Sequence, residues 1–233
     1  MIILKYHQRL GDIIRCLPIA RHLVAQGHPV AIECFPQYHS LFDAVSYTVP
    51  LAPGHRVEGE RINLEIWPDR YHAYRASRQT WEDFVYTLDP RFAGMDRQII
   101  FDRLDPEPIW GQYGMTKSTA LVSPFGYSQA VKVMPALICQ HAFEAYKAPL
   151  RVVADPMQAE QCIAQGWSEN LFVTAYSIPD LIRILRDARE VMTVNSAPAL
   201  ICSAVRKSFD LIGSGMAQDD VTSPAARVVT FGA

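Results

Sequence analysis

Hydrophobic and polar residues along the start of the chain follow the order of a strand, a helix and a second strand. Residues 2–4 are a short apolar run, and the polar segment 7–12 follows it. Within residues 13–25 the apolar positions recur every three or four residues, which predicts an amphipathic helix. Gly27 then precedes the apolar run 30–32. This order predicts two parallel strands joined by a right-handed helical crossover.

The second half of the chain repeats the same alternation more regularly. Apolar runs predict strands at residues 119–122, 150–153, 171–173, 191–194 and 208–212. Between them, helical spacing predicts helices at 130–146, 157–165, 178–186 and 197–205. Short strands that alternate with helices of this length predict a parallel sheet covered on both faces.

The middle of the chain is less regular. Residues 45–49 and 62–67 are predicted as strands, and residues 74–88 as one amphipathic helix with Trp81 on its apolar side. The segment 104–117 is rich in proline and glycine, which is typical of a linker between domains.

These patterns predict an α/β protein with two Rossmann-like lobes. We place an N-terminal lobe at 1–115, a second lobe at 116–215, and a tail at 216–233 that could pack back on the N-terminal lobe. Ligands of parallel sheets bind at the carboxyl ends of the strands, so a cleft between the lobes is the expected site.

Composition narrows the function classes. The 233 residues carry 22 basic and 24 acidic side chains, so no overall basic bias indicates nucleic-acid binding. Five cysteines are scattered without a CxxC pair, which argues against a disulfide scaffold or a cysteine-rich zinc site. The sequence has neither an apolar run of membrane-spanning length nor a signal peptide at its start. We therefore expect a cytoplasmic protein with reduced thiols.

The first candidate site is the turn at 7–12, between the first strand and the first helix. Gly11 permits an unusual backbone angle or the close approach of a ligand. Asp12 follows at the start of the helix. It is either a helix-stabilising carboxylate of the first turn or a general base aimed into the cleft.

The second candidate site, at 123–132, surrounds the start of a predicted helix. Gly126, hydroxyl side chains and Lys132 lie there together. Free N–H groups, the helix dipole and a cation favour a phosphate, although a lone lysine is more often simply solvated. The glycine–lysine spacing is not that of a Walker loop.

The third candidate site follows the strand predicted at 191–194. Asn195 or Ser196 can cap the next helix, and Pro198 suits its first turn. The alternative is a helix N-terminus that faces a diphosphate.

Taken in order, the three turns resemble those of GT-B glycosyltransferases of the lipopolysaccharide heptosyltransferase type, glycosyltransferase family 9. Residues 9–14 with 17–18 resemble the family's opening glycine–aspartate turn. Residues 128–135 resemble its phosphate-binding stretch of hydroxyl and lysine residues, which ends in proline. Residues 194–198, running on to 208–213, resemble its late motif of strand, small residues, helix and strand.

The chain departs from the family pattern at several positions. Asn195 stands where an aspartate is usual, Ala197 replaces a glycine, and Leu200 lies near a usual histidine. Arg15 occupies a position often held by histidine, and Met134 replaces an aromatic residue. The resemblance therefore leaves the sugar and the nucleotide base of the donor open.

The resemblance implies transfer of a sugar from a nucleotide sugar, with inversion and without a metal or other cofactor. Asp12 would take the proton of the acceptor hydroxyl, while Lys132, Ser128 and helix N-termini would stabilise the departing diphosphate. Donor-binding or phosphate-binding roles fall to Gly11, Ser123, Gly126, Ser128, Lys132, Asn195, Ser196 and Ala197. His7, Arg9 and Arg15 are the acceptor-side candidates, with a surface position as the alternative for Arg15.

Two alternatives change the acceptor or the activity. A viral-type DNA glycosyltransferase would use the aromatic and basic residues Trp67, Arg70, Tyr71, Tyr74, Arg75, Arg78 and Trp81 on nucleic acid. These residues also fit an ordinary amphipathic helix with a solvated face. A nucleotide-binding module without catalysis is the third hypothesis, because Asn195 replaces an acidic residue. The sequence does not indicate a Rossmann dehydrogenase, because its first turn lacks the GxGxxG motif of those enzymes.

Overall fold

The chain divides into two α/β units, Met1–Leu104 and Asp105–Ala233. The computed structural model describes residues 1–7, 9–125, 134–213 and 225–230. None of the helices in these ranges is long and apolar enough to cross a bilayer.

The first unit is built on a four-stranded parallel sheet in the order β3-β2-β1-β4. Its strands are β1 (Ile2–Lys5), β2 (Val30–Glu33), β3 (Val49–Leu51) and β4 (Glu60–Asn63). Helix α1 (Leu10–Ala25) connects β1 to β2, so the predicted strand–helix–strand unit is confirmed. The apolar positions of α1 that predicted the helix, such as Ile13 and Leu17, are fully buried.

The middle of the first unit differs from the prediction. A 3-10 helix at Pro36–Ala44 precedes β3, which starts where the predicted strand 45–49 ends. The helix predicted at 74–88 is two short helices, α2 (Tyr71–Ser77) and α3 (Trp81–Val85). Arg78 separates them in the left-handed conformation, with φ of 55°. Thr80 then starts α3, since its hydroxyl accepts a hydrogen bond from the N–H of Asp83. The chain also makes a short 3-10 turn at Pro90–Phe92.

The second unit is built on a six-stranded parallel sheet in the order β10-β9-β8-β5-β6-β7. Its strands are β5 (Ala120–Ser123), β6 (Leu150–Ala154), β7 (Phe172–Thr174), β8 (Glu190–Val194), β9 (Phe209–Gly213) and β10 (Ala226–Thr230). The helices are α4 (Pro135–Tyr146), α5 (Pro156–Ala164), α6 (Ile178–Asp187) and α7 (Ala197–Ala204), with a 3-10 turn at Glu169–Leu171 before β7. Counted within the unit, this is the strand order 3-2-1-4-5-6 of the dinucleotide-binding fold.

The core of the second unit explains why its elements were predictable. Val122, Ile138, Val152, Met192 and Ile212 pack in one cluster and are fully buried. Because the strands of a parallel α/β sheet are covered on both faces, most of their positions are apolar, and this pattern is visible in the sequence. Each predicted strand and helix of this half is observed with small shifts at its ends, except that the helix predicted at 130–146 is observed from Pro135, and residues 130–133 lie outside the described residues.

The tail contributes a strand to the second sheet. β10 pairs in parallel with β9, with Ala226 opposite Phe209. Arg227 donates two hydrogen bonds of 2.7 Å to the buried Asp210 of β9. This part of the tail therefore belongs to the second sheet, and the packing of the tail on the N-terminal lobe stays a prediction.

The segment expected as a linker is bound to the end of α6. The backbone N–H of Ile109 donates to Asp187 Oδ2 over 2.9 Å, and the indole of Trp110 donates to the carbonyl of the same aspartate. Arg186 donates in turn to the carbonyl of Asp105 over 2.6 Å. Residues from Asp105 onward thus pack with the second unit.

Candidate active site

The carboxyl edge of the first sheet carries the first predicted turn. β1 ends at Lys5, and α1 begins at Leu10, so Gly11 and Asp12 lie in the first helical turn. Gly11 has helical backbone conformation, so the turn uses no unusual angle at this position.

The carboxylate of Asp12 is held by two neighbours. The Tyr6 hydroxyl donates to Asp12 Oδ2 over 2.9 Å, and Arg15 Nη1 lies 3.7 Å from Asp12 Oδ1. The Asp12 side chain is 17% exposed. A hydroxyl donor, a guanidinium and the helix N-terminus all favour the anionic carboxylate. The group is thus a partly solvent-accessible carboxylate that can accept a proton.

Tyr6 and Arg15 are themselves fixed by Trp81 of α3. The Tyr6 ring meets the indole edge-on with 5.7 Å between centroids, and the Arg15 guanidinium lies 5.4 Å from the indole centroid. Arg15 Nε is also 3.6 Å from Glu82 Oε1. Burial, and then the charge of Asp12, raise the pKa of the Tyr6 phenol far above its usual range, so it remains a donor.

The acceptor-side candidates lie in different surroundings. Arg15 is 6% exposed, so the alternative that placed it on the helix surface is wrong. Arg9 is exposed at the N-cap position of α1. His7 lies between two carboxylates, with Nε2 2.7 Å from Glu33 Oε1 and Nδ1 3.4 Å from Glu65 Oε1.

The contacts of His7 belong to a wider charged cluster that the sequence analysis missed. Glu33 ends β2 and is buried, and it also accepts from Arg61 Nε over 3.4 Å. Lys5 Nζ lies 3.2 Å from Glu65 Oε2. The signal that could have found the cluster is a charged residue at the end of each apolar strand, since parallel register places Lys5 beside Glu33.

A cavity of about 600 Å³ opens beside this cluster. Its charged lining consists of Lys5, Arg56 and Arg61 together with Glu33 and Glu58, and His55 also lines it. The cationic side chains suit a ligand that carries a carboxylate or a phosphate, because such groups accept charge-assisted hydrogen bonds from arginine and lysine.

The second unit brings two other predicted segments to one edge. β5 and β8 are neighbours, and the strand order reverses between them. Ser123, which ends β5, pairs with Thr193, and Asn195 and Ser196 follow β8 directly. In open parallel sheets the ligand crevice lies outside the carboxyl ends at this reversal. This edge is therefore the candidate ligand site of the second unit.

The start of α7 differs in one detail from the prediction. Ser196 occupies the N-cap position with extended backbone, and Ala197 and Pro198 open the helix as expected. The Ser196 hydroxyl donates to the carbonyl of Val194 over 3.1 Å. The Ser196 side chain makes no capping hydrogen bond to α7, so of the two predicted caps, Asn195 or Ser196, the one by Ser196 is wrong.

The remaining donor-side candidates cannot be placed. Gly126, Ser128 and Lys132 lie outside the described residues. Ser123, which precedes them, is buried at 3% exposure. Across the described ranges, no group of three or more His, Cys, Asp or Glu side chains is placed to hold a metal ion.

The aromatic and basic stretch that suggested nucleic acid is divided between two environments. Trp81 is buried against Arg15 and Tyr6. Trp67 and Tyr71 are exposed and meet edge-on at 4.9 Å. The stretch is therefore not one continuous stacking surface.

Comparison with known proteins identifies the fold. No protein-family model matches the sequence, and no curated protein matches it. Several solved structures do match. The glycosyl transferase family 9 protein of Veillonella parvula DSM 2008 is 12% identical, with a TM-score of 0.68, and the match covers 99% of this chain and 85% of that protein.

Two further matches come from E. coli. The heptosyltransferase WaaC with ADP-2-deoxy-2-fluoro heptose is 10% identical, with a TM-score of 0.62 over 98% of this chain and 92% of WaaC. TibC of strain H10407, an iron-containing dodecameric glycosyltransferase, is 13% identical, with a TM-score of 0.66 over 100% of this chain and 63% of TibC. At such identities these matches show the fold, and they confirm the predicted pair of Rossmann-like units of the GT-B type.

Proposed function

We propose that this protein is a glycosyltransferase that moves a sugar from a nucleotide sugar to an acceptor hydroxyl, with inversion and without a metal. The observation that carries the proposal is the Asp12 carboxylate, held at the carboxyl edge of a parallel sheet in a chain of this fold. A general base at this edge is what attack by a hydroxyl requires.

In the proposed reaction, Asp12 accepts the proton of the acceptor hydroxyl. The hydroxyl oxygen forms a bond to the anomeric carbon as the bond from that carbon to the diphosphate oxygen breaks. The bonding electrons leave with the nucleoside diphosphate. Attack from the face opposite the leaving group inverts the anomeric configuration.

We assign donor binding to the edge formed by β5 and β8. The α7 N-terminus at Asn195, Ser196 and Ala197 would face the diphosphate, since helix N-termini favour negative charge. Ser123 lies on the neighbouring strand. By sequence resemblance, Gly126, Ser128 and Lys132 would complete the site, with Lys132 stabilising the charge on the leaving group.

We assign acceptor binding to the first unit. Arg9, His7 and the cationic lining of the cavity beside Lys5 and Arg61 suit an acceptor that carries negative charge. Gly11 would let the acceptor hydroxyl approach Asp12 closely.

ADP-heptose is the first donor to test, because a fluorinated ADP-heptose accompanies WaaC. The replacements at Asn195 and Ala197 argue for testing other bases as well. A thermal-shift screen against ADP-, UDP-, GDP- and CMP-sugars should show stabilisation by one donor class, since a ligand that binds only the folded state raises its melting temperature. No shift with any donor would favour a module without catalysis.

The DNA-modifying alternative is not favoured by the structure. Trp81 is buried and Trp67 meets Tyr71 edge-on, so these aromatic side chains do not form one stacking surface for a nucleic acid. Salt-dependent binding of DNA by the purified protein would revive that alternative.

A further inference from the structure

We propose that Tyr6 is a positioning residue for Asp12: its hydroxyl fixes the orientation of the carboxylate and stabilises its anion. The inference rests on the proposed role of Asp12 as proton acceptor for its consequence in catalysis. The contact itself does not depend on that role, and neither does the main test.

The position of the Tyr6 hydroxyl is set by packing on both sides. Tyr6 follows β1 directly, and its backbone N–H donates to the carbonyl of Glu33 over 3.1 Å. Its side chain is buried, and the indole of Trp81 meets its ring edge-on. With the backbone tied to β2 and the ring confined by α3, the hydroxyl has one place to lie, 2.9 Å from Asp12 Oδ2.

In this hydrogen bond, Tyr6 is the donor and Asp12 is the acceptor. The Tyr6 phenol stays protonated because burial raises its pKa, so it donates and the carboxylate accepts. A hydrogen bond donated to a charged form stabilises that form. The contact therefore stabilises the Asp12 anion and orients Oδ2, while Oδ1 lies on the side of Arg15.

Within the part of the chain that the structure describes, β1, α1 and α3 bring charged and titratable groups close to Asp12. Tyr6 extends from β1, and Arg15 and Cys16 lie on α1, where the Cys16 thiol contacts the Asp12 carbonyl at 3.2 Å. Glu82 of α3 lies beyond Arg15. Burial raises the pKa of Cys16 well above its ordinary value, so this thiol adds no charge. Of these groups, only Tyr6 can lose its polar contact while keeping its shape, through replacement by phenylalanine.

The test compares Tyr6→Phe with a matched control. Tyr47→Phe removes a phenol hydroxyl from the same unit, one that donates to the carbonyl of Ile100 over 2.8 Å. Proteins labelled with ¹³C at the aspartate carboxyl carbon are titrated by NMR, and the Asp12 signal is assigned by its loss in Asp12→Asn. Tyr6→Phe should raise the pKa of Asp12 by about one unit. Tyr47→Phe should leave it unchanged.

A second measurement covers the case in which Tyr6→Phe does not fold. Site-specific 3-fluorotyrosine at position 6 keeps the ring and the hydroxyl but makes the phenol a stronger donor. It should lower the pKa of Asp12, opposite to phenylalanine. An Asp12 pKa that neither replacement moves would overturn the proposal.

The kinetic consequence separates this proposal from the proposed function. If Asp12 is the base, the acid limb of the kcat/KM profile should move to higher pH in Tyr6→Phe by the same amount as the NMR value. A moved NMR value with no transferase activity in the wild type would retain Tyr6 as the positioning residue and reject the enzyme assignment. An unchanged Asp12 pKa in Tyr6→Phe, with transferase activity in the wild type, would reject Tyr6 as the positioning residue and retain the proposed enzyme function.

Discussion

Asp210 provides a sharp test of the energetics of the second unit. Its buried carboxylate on β9 accepts from the Tyr146 hydroxyl of α4 over 2.8 Å and from Arg227 of β10 twice. One carboxylate thus links a helix to the sheet and the last strand to its neighbour. We compare Asp210→Ala with Tyr146→Phe and Arg227→Ala, which remove the acceptor and each donor in turn.

The structure ranks the three costs. The Arg227 side chain is 74% exposed, so solvent screens its ion pair and Arg227→Ala should cost about 1 kcal/mol or less. Burial raises the pKa of the Tyr146 phenol, which therefore remains a donor, and Tyr146→Phe should cost about 1 kcal/mol. Asp210→Ala removes every contact and leaves the phenol without its acceptor, so it should cost about 2–3 kcal/mol.

Urea unfolding followed by circular dichroism gives the free energies, provided that the slope with denaturant is unchanged among the variants. The expected order is Asp210→Ala above Tyr146→Phe, with Arg227→Ala at or below Tyr146→Phe. If Arg227→Ala lowered the free energy of unfolding as much as Asp210→Ala, the reasoning would be refuted. The exposed ion pair would then account for the whole stabilisation by Asp210.

Two further predictions concern the interior. Ile138→Ala should cost about 2–5 kcal/mol in urea unfolding because Ile138 is fully buried in the core, whereas Phe143→Ala on the same helix should change stability by less than about 0.5 kcal/mol because Phe143 is 67% exposed. Equal effects would contradict the assigned core. Burial raises the pKa of Cys34, Cys139 and Cys202 to about 12, so these thiols should react slowly with Ellman's reagent at pH 8 and quickly in urea; rapid reaction of the native protein at any of the three would disprove this.

The parts of the fold that the sequence predicted are those where burial controls the pattern. In the second unit, β5, β8 and β9 are buried at nearly every position, so most of their residues are apolar, although Thr193 and Asp210 are buried there as well. The first unit offers no such pattern around α2, which has no buried residue. The break at Arg78 could not be predicted either, because a left-handed conformation at a residue other than glycine gives no signal in the sequence.

In the candidate site, too, some residues could be predicted from local sequence and others could not. Asp12 could be predicted because a helix start next to a glycine is a local feature. The contact of Tyr6 with Asp12 is set by the packing of Tyr6 against Trp81, which is distant in sequence. Glu33 meets His7 only because β1 and β2 pair in a particular parallel register. Contacts that depend on strand register and on packing between elements cannot be predicted from any short stretch of sequence.

The most direct test of the proposed function is transfer by Asp12→Asn at saturating donor. The amide keeps the shape of the side chain but cannot accept the proton, so release of nucleoside diphosphate with glycosylated acceptor should fall by about 10²–10⁴-fold. The melting shift caused by the donor should remain. Asp43→Asn, which changes an exposed carboxylate of the same unit, should retain full activity. Turnover by Asp12→Asn at the wild-type rate would contradict the account.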